Sequence, residues 1–144
     1  MKEPICKWDA DNGIAYCTIF DADGHAHEGK AVCAADDADM MNEKTGMEIA
    51  YRRAEIKAYK AYKYKIKNKL EALNQLYYSM KHSKKFNPKS YENIMLQRQI
   101  HLCNDDLDTA NNIISTAQLD LKIYIKAKDE LYKQFRELRR SKAK

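Results

Sequence analysis

Glycine and proline are scarce in this chain, with four glycines and two prolines among 144 residues. Catalytic loops commonly depend on glycine, and the sequence contains neither a glycine-bounded nucleophile elbow nor a glycine-rich phosphate loop. No two cysteines have the CxxC spacing of metal-binding and redox motifs. The sequence therefore predicts a protein that is not an enzyme and that uses no cofactor.

Long apolar runs are also missing. No stretch approaches the roughly 20 apolar residues that cross a bilayer, and no segment of signal-peptide type follows Met1. We expect a soluble protein of the cytoplasm, without a membrane partner. In that reducing compartment the four cysteines are expected to be thiols that fill small apolar positions. They are Cys6, Cys17, Cys33 and Cys103.

Charge is unevenly distributed along the chain. Residues 1–42 contain three lysines and nine acidic residues, a net charge of −6, whereas residues 43–144 contain 23 lysines and arginines and 12 acidic residues, a net charge of +11. A chain of this length is the size of one domain and can bury a core. We expect a single folded unit whose two segments, 1–42 and 43–144, have different roles.

The first segment contains two short β-prone runs between residues 13 and 33. They are separated by residues 21–24, DADG, and an Asp-Gly step between such runs is typical of a β-hairpin because glycine adopts the positive φ of a tight turn. We predict strands near 14–20 and 26–33. Residues 5–8, ICKW, are a candidate third antiparallel strand, since two strands alone are only marginally stable.

From residue 43 the apolar periodicity becomes helical. Ten positions separated by alternating steps of three and four form a seam, the α1 seam, in which eight residues are apolar or aromatic. These positions are Ile49, Arg52, Ile56, Tyr59, Lys63, Ile66, Leu70, Leu73, Tyr77 and Met80. A helix is therefore predicted over about 43–82. Asn87 and Pro88 suit an N-cap and a first helical position, so a second helix is predicted over about 88–140.

The second helix has its own seam, the α2 seam, in which twelve of thirteen positions fit. It consists of Leu96, Ile100, Cys103, Leu107, Ala110, Ile114, Ala117, Leu121, Tyr124, Lys128, Leu131, Phe135 and Leu138. A short connection near residue 85 forces the helices to be antiparallel. Ile49 is then expected to face Leu121, and residues 131–138 are expected to contact the N-terminal hairpin. The predicted fold class is α+β, mostly α: an antiparallel β-hairpin of two or three strands followed by a long αα-hairpin.

Apolar residues off these seams indicate self-association, most simply as a dimer. They are Ile94, Ile113, Ile123 and Ile125. Two helices that pack along one narrow seam leave such residues uncovered, and a second copy of the chain would cover them.

His25 and His27 are the residues most suggestive of a metal site. On a strand they point to the same face, which suits two imidazole ligands, and Asp21, Asp23 and Glu28 lie nearby. No third ligand occurs at a recognised spacing, however, and the calcium-loop pattern is incomplete. The sequence therefore predicts no metal site and leaves open whether either histidine binds anything.

Residues 57–69, KAYKAYKYKIKNK, contain six lysines and three tyrosines. Cations here recur at steps of three and four, which places them in a stripe on one side of a helix, and tyrosines among them can stack on bases. The predicted anion or nucleic-acid surface comprises Arg52, Arg53, Lys57, Lys60, Tyr62, Lys63, Tyr64 and Lys67. A solvated coiled-coil face is the alternative interpretation. Three acidic residues, Asp36, Asp37 and Asp39, are predicted to face a partner.

Residues 29–57 resemble small accessory proteins encoded by phages and prophages. Many of those run from a strand of the form G-x-A-x-C, through an acidic link, into a helix of the form G-x-x-I-A-x-x-R-A-x-x-K. The matching residues are Gly29, Ala31, Cys33, Gly46, Ile49, Ala50, Arg53, Ala54 and Lys57. The likeness covers about a fifth of the chain and excludes the second helix.

Proteins of that kind are often inhibitors of bacterial defence. Some are anti-CRISPR proteins that fill the nucleic-acid groove of an effector, and others are sponges that sequester a nucleotide signal. The resemblance therefore implies a non-enzymatic anti-defence protein that inhibits an immune effector by stoichiometric blockade, with the effector or its nucleic acid as partner. The alternatives are a nucleotide sponge, a non-specific nucleic-acid-binding protein, and a structural coiled-coil adaptor.

Overall fold

The chain forms a small antiparallel sheet followed by two long helices. The computed structural model describes residues 3–32 and 43–143. Strands β1 (Ile5–Asp9), β2 (Ile14–Phe20) and β3 (Ala26–Val32) pair in the order β1-β2-β3 and precede helices α1 (Glu43–Lys81) and α2 (Tyr91–Ala143). The predicted fold class is confirmed, including the third strand. Neither helix, within these ranges, contains a segment apolar enough to cross a membrane.

Two tight turns set the register of the sheet. Gly13 and Gly24, with φ of 62° and 84°, provide the positive backbone angles that these turns need. As a result Cys6 lies opposite Cys17, and Cys17 lies opposite Gly29. Directly opposed residues share a face of the sheet, so Cys6, Cys17 and Gly29 form a row of small residues across all three strands.

The residues divide into two compact units. The first unit contains the sheet, α1 as far as Ala58, and α2 from Ile114 onward. Its core consists of Ala15, Cys17, Ala31, Ile49, Ala50, Ala54 and Tyr132. Leu121 packs against the same cluster as Ile49, which agrees with the predicted antiparallel pairing of the helices.

Gly29 allows β3 to lie directly against α1. A Cβ atom at this position would overlap the backbone carbonyl oxygen of Ala50 and the backbone nitrogen of Ala54, and it would lie 3.0 Å from the carbonyl carbon of Arg53. Strand and helix backbones approach this closely only where a side chain is missing. Gly29 therefore fixes how the sheet sits on the helix.

Cys6 and Cys17 form a disulfide between β1 and β2, with their Cα atoms 4.1 Å apart. The prediction of four free thiols is wrong for this pair, because the hairpin register brings the two residues directly opposite each other. Cys103 is free and buried, as predicted. Cys33 lies outside the described residues.

The second unit, residues 59–113, contains the end of α1, the connection, and the start of α2. Every position of the α1 seam from Tyr59 to Met80 is buried or half-buried. On α2 the buried apolar residues of this unit are all predicted seam positions, namely Leu96, Cys103 and Ala110. The heptad pattern therefore identified the buried side of both helices in this unit.

The start of α2 differs from the prediction by one turn. Ser90 is the N-cap, because its hydroxyl accepts a hydrogen bond of 3.2 Å from the backbone N–H of Asn93. Asn87 instead caps a tight turn that precedes the helix, and its side chain accepts a hydrogen bond from the N–H of Lys89. Asparagine is as common in such turns as at N-caps, so residue type alone did not separate the two.

The α2 seam is correct only as far as Lys128. Beyond it, Leu131, Phe135 and Leu138 are exposed, whereas Tyr132 is buried in the core of the first unit. A straight helix drifts by about 20° per heptad from a strict seven-residue repeat, so the buried position eventually moves to a neighbouring residue. Of residues 131–138, which were predicted to contact the N-terminal hairpin, Tyr132 belongs to the core cluster that contains Ala15, Cys17 and Ala31 of the sheet.

Candidate anion-binding surface

The residues predicted to bind an anion belong to both units. Arg52, Arg53 and Lys57 are in the first unit, whereas the second contains Lys60, Tyr62, Lys63, Tyr64 and Lys67. The acidic residues predicted to face a partner, Asp36, Asp37 and Asp39, lie outside the described residues. The two groups of cations differ in what their side chains contact.

Arg52 is paired with carboxylates of this chain. Its guanidinium lies 3.3 Å from Glu55 and 3.7 Å from Asp120, so it joins α1 to α2 within the first unit. Burial acts to lower the pKa of Arg52, but the charges of Glu55, Asp120 and Glu48 outweigh it and leave that pKa raised. Arg52 is therefore part of an internal ion-pair network rather than of an open anion-binding surface.

Arg53 and Lys57 bind the backbone of β3. The guanidinium of Arg53 donates a hydrogen bond of 2.7 Å to the carbonyl oxygen of Lys30, and the ammonium of Lys57 donates one of 2.8 Å to that of Glu28. Arg53 and Lys57, four residues apart on α1, are separated by about 6 Å along the helix. The carbonyls of Glu28 and Lys30, two residues apart on β3, are separated by about 6.6 Å, so the two donors match the two acceptors. β3 is an edge strand, so no further strand can donate hydrogen bonds to its outer carbonyls. Arg53 and Lys57 provide those donors instead.

Five residues from β3 and α1 form the interface between these two elements, namely Gly29, Ala50, Arg53, Ala54 and Lys57. Gly29 approaches the α1 backbone, Ala50 and Ala54 are buried beneath it, and Arg53 and Lys57 hold the strand edge. This motif specifies how a strand packs on a helix. Two of the predicted anion ligands are engaged in that packing.

Tyr62 points away from Tyr64. Residues two apart on a helix are separated by about 200°, and Tyr62 makes an edge-to-face contact with Tyr59, their ring centres 6.4 Å apart. Burial, followed by the charge of Asp106 on α2, raises the pKa of the Tyr62 hydroxyl. Tyr62 is therefore close enough to α2 for the charge of Asp106 to act on it, although its relative exposure is 45%.

Three of the four remaining predicted residues lie on the outer side of α1 in the second unit. Lys60, Tyr64 and Lys67 follow steps of four and three, and all three are exposed, Tyr64 by 67%. Lys63 is half-buried at a seam position, where its stem packs and its ammonium can extend outward. No carboxylate among residues 3–32 and 43–143 forms an ion pair with Lys60 or Lys67.

The same steps continue along the helix beyond the predicted site. We define the α1 face as Lys60, Tyr64, Lys67, Glu71, Asn74 and Tyr78, which lie within an arc of about 80° over about 27 Å. Tyr78 is 64% exposed and its ring lies 4.1 Å from that of His82. Lys67, Glu71, Asn74 and Tyr78 line a shallow groove. The sequence interpretation missed Asn74 and Tyr78, which an extension of the heptad beyond Lys67 would have found.

A second group of polar side chains occupies the turn between β2 and β3. Asp21, Asp23 and His25 have potential metal-ligand atoms that all lie within 4.8 Å of one another. His27, at the start of β3, also contacts Asp21. The histidines therefore converge on a carboxylate, which the sequence alone did not establish.

Comparison with protein-family models, with curated proteins and with solved structures found no match to this chain.

Proposed function

We propose that this protein is a non-enzymatic binding protein that holds a nucleic acid on the α1 face and, in a bacterial cell, blocks a defence effector by occupying its nucleic acid. The observation that carries the proposal is the combination, on one side of α1, of two exposed lysines with two exposed tyrosines. The anti-defence role rests in addition on the resemblance of residues 29–57 to phage accessory proteins.

Lysines and tyrosines on the α1 face suit the two parts of a nucleotide. Ammonium groups of Lys60 and Lys67 neutralise phosphates, and the exposed rings of Tyr64 and Tyr78 are stacking surfaces for bases. Asn74 adds an amide that hydrogen-bonds to phosphate or base edges. Glu71 is the one acidic residue of the face. Stacking does not depend on base identity, so we expect weak sequence preference and a preference for single strands.

Salt dependence of binding tests the phosphate contacts. Fluorescence anisotropy with a labelled single strand should show affinity that falls steeply as salt rises, because each neutralised phosphate contributes about 0.7 to the slope of log K against log salt. The double variant Lys60→Gln/Lys67→Gln should lower that slope by about 1.4. The matched control Lys7→Gln/Lys142→Gln removes the same charge from exposed positions of the first unit and should leave the slope unchanged.

Substitution of the tyrosines tests stacking. Tyr64→Ala and Tyr78→Ala should each weaken binding by about 5-fold to 150-fold, because base stacking contributes about 1–3 kcal/mol, whereas Tyr64→Phe should retain affinity. Arg53→Gln/Lys57→Gln should lower the stability of the first unit and leave the salt slope nearly intact, because those side chains bind β3. Salt-insensitive binding, or none to DNA or RNA, would remove the nucleic-acid part of the proposal.

Phage plating tests the anti-defence role. Expression of the protein in bacteria that carry a CRISPR system should restore plaques, and the variant Lys60→Gln/Lys67→Gln/Tyr64→Ala should fail to do so. Inhibition of the purified effector should reach its end point at a fixed molar ratio, as blockade requires. If plaques return only against nucleotide-signalling defences, the sponge alternative is favoured. If no defence is affected and the variants change only solubility, the result favours the alternative of a structural coiled-coil adaptor.

A further inference from the structure

The turn between β2 and β3 arranges its polar side chains around Asp21. The backbone N–H groups of Asp23 and His25 donate hydrogen bonds of 3.0 and 2.9 Å to Oδ1 of Asp21. The N–H of Gly24 also donates to the carbonyl oxygen of Asp21, and the positive φ of Gly24 permits this tight closure. These contacts fix the orientation of the Asp21 carboxylate.

Oδ2 of Asp21 is thereby directed toward two imidazoles. It lies 3.0 Å from Nε2 of His27 and 3.6 Å from Nδ1 of His25. The side chains of Asp21 and His27 are only 19% and 17% exposed, whereas that of His25 is 70% exposed. The arrangement is a half-buried, fixed pair beside an accessible third group, and Asp23 adds a second carboxylate within reach.

The distances from Asp21 Oδ2 to the two ring nitrogens are close to the separation of two ligand atoms on one metal ion. Ligand atoms at about 2.0–2.1 Å from Zn²⁺ in tetrahedral geometry are about 3.3–3.4 Å apart. His27 Nε2 lies 3.0 Å from Asp21 Oδ2 as a hydrogen-bond partner, and His25 Nδ1 lies 3.6 Å from the same oxygen, so small side-chain movements bring both rings to a metal ion bound by Asp21. Two imidazoles and two carboxylates form a donor set typical of Zn²⁺ and related divalent transition metals, whereas Ca²⁺ and Mg²⁺ prefer oxygen ligands alone.

We propose that Asp21, Asp23 and His25, whose ligand atoms lie within 4.8 Å of one another, form a binding site for a divalent transition metal of the Zn²⁺ class, and that His27 completes the site from its position beside Asp21. His27 ligates through Nε2 and carries its proton on Nδ1, and His25 ligates through Nδ1. Hydrogen bonds from the backbone hold the Asp21 carboxylate in place as outer contacts do in known metal sites. The site is independent of the α1 face and of the nucleic-acid proposal.

Co²⁺ is a suitable probe because tetrahedral Co²⁺ has intense visible d–d bands. Titration of the full chain with its disulfide intact should produce these bands, saturating at one Co²⁺ per chain, and Zn²⁺ should remove them. His25→Ala is the clearest variant, since that side chain is largely exposed and the fold does not depend on it. It should weaken Co²⁺ binding at least about tenfold, and His27→Ala and Asp21→Asn should do the same.

His101 provides a matched control. Its Nε2 lies 3.4 Å from a carboxylate oxygen of Asp105 on α2, so it is also a histidine paired with an acid. His101→Ala should leave Co²⁺ binding unchanged. The proposal is overturned if no d–d bands form in a large excess of Co²⁺, if they persist at full strength in His25→Ala and His27→Ala, or if near-ultraviolet thiolate bands show that cysteines bind the metal instead.

Discussion

At the scale of single residues, Gly29 shows how one missing side chain decides a fold. Its Cα faces the backbone of α1 at Ala50 and Ala54, so the two elements meet without intervening side-chain atoms. The flanking carbonyls of Glu28 and Lys30 can then reach Lys57 and Arg53. A bulkier residue would move the strand away and break both hydrogen bonds.

Gly29→Ala should destabilise the protein by about 3 kcal/mol, because the added methyl overlaps backbone atoms that cannot rotate away. Urea unfolding measures the change. Gly24→Ala is the matched control: its Cβ meets nothing within 4 Å, and it carries only the strain of a positive φ, about 1–2 kcal/mol. Equal effects of the two substitutions would contradict the close contact between β3 and α1.

Tyr62 should make the free energy of unfolding fall as pH rises in the alkaline range. Burial first, and then the charge of Asp106, raises its pKa above 10.0, so the folded state holds the phenol proton more tightly than the unfolded chain does. This contribution is complete below the unfolded pKa and is lost as pH rises through the folded one. Above pH 10.0 the free energy of unfolding should therefore fall more steeply in the wild type than in Tyr62→Phe.

Urea unfolding at a series of alkaline pH values provides the comparison. Parallel pH profiles for the two proteins would show that Tyr62 titrates with the same pKa in both states, and that its position beside α2 has no electrostatic consequence.

At the scale of elements, the disulfide between Cys6 and Cys17 links β1 to β2. Oxidising surroundings keep such a bond, whereas a reducing cytoplasm would hold the pair as thiols. Sγ of Cys17 lies 3.5 Å from the carbonyl oxygen of Met47, which a thiol there can use as an acceptor. The disulfide therefore contributes stability that depends on the compartment.

Reduction of the disulfide should lower the free energy of unfolding by about 3 kcal/mol, the value expected for a bond between residues separated by 11 positions. Unfolding in urea with and without a reductant measures this. Cys6→Ala should show the lower stability under both conditions. A wild-type protein that is insensitive to reductant would indicate that the sheet does not depend on the bond.

At the scale of the whole molecule, uncovered apolar residues on α2 support the predicted self-association. Leu119 and Ile123 are four residues apart on one side of the helix, and both are largely exposed. Ile94 is exposed as well, whereas Ile113 is half-buried and Ile125 packs against the core. The proposed dimer interface is accordingly centred on Leu119 and Ile123.

Leu119→Gln/Ile123→Gln should weaken the dimer at least about tenfold, because burying each such side chain contributes about 1.5–3 kcal/mol. Sedimentation velocity over a range of protein concentrations measures the equilibrium. Leu76→Gln, at an exposed position of α1, serves as the control and should leave it unchanged. A wild-type protein that stays monomeric at all concentrations would contradict the prediction.

Periodicity explains which parts of the fold were predictable. Strand limits, helix limits and the α1 seam depend on local patterns of apolar residues and turn signals, and the structure follows them closely. The disulfide was missed although its signal is present: a turn centred between Asp11 and Asn12 pairs residue 6 with residue 17. The shift from Leu131 to Tyr132 had no local signal, because helical drift accumulates over many turns.

Sequence predicts the candidate site only in part, because it places side chains along one helix but not the elements that pack beside them. A stripe of cations on a helix predicts which side chains share a side, and Lys60, Tyr64 and Lys67 do share one. Whether a cation on that stripe is available depends on what packs beside it. Arg53 and Lys57 are engaged by β3, and Arg52 by Asp120, which are distant in sequence.

The sequence by itself determined the β2–β3 hairpin, the two long helices, and the buried side of α1 and of α2 as far as Lys128, because these follow from the short-range spacing of apolar residues and turn formers. Tertiary structure alone decided which cations are used internally and how the histidines of the β2–β3 turn converge on Asp21. Those outcomes depend on distances between residues far apart in the chain or across a turn, and such distances exist only once the chain has packed.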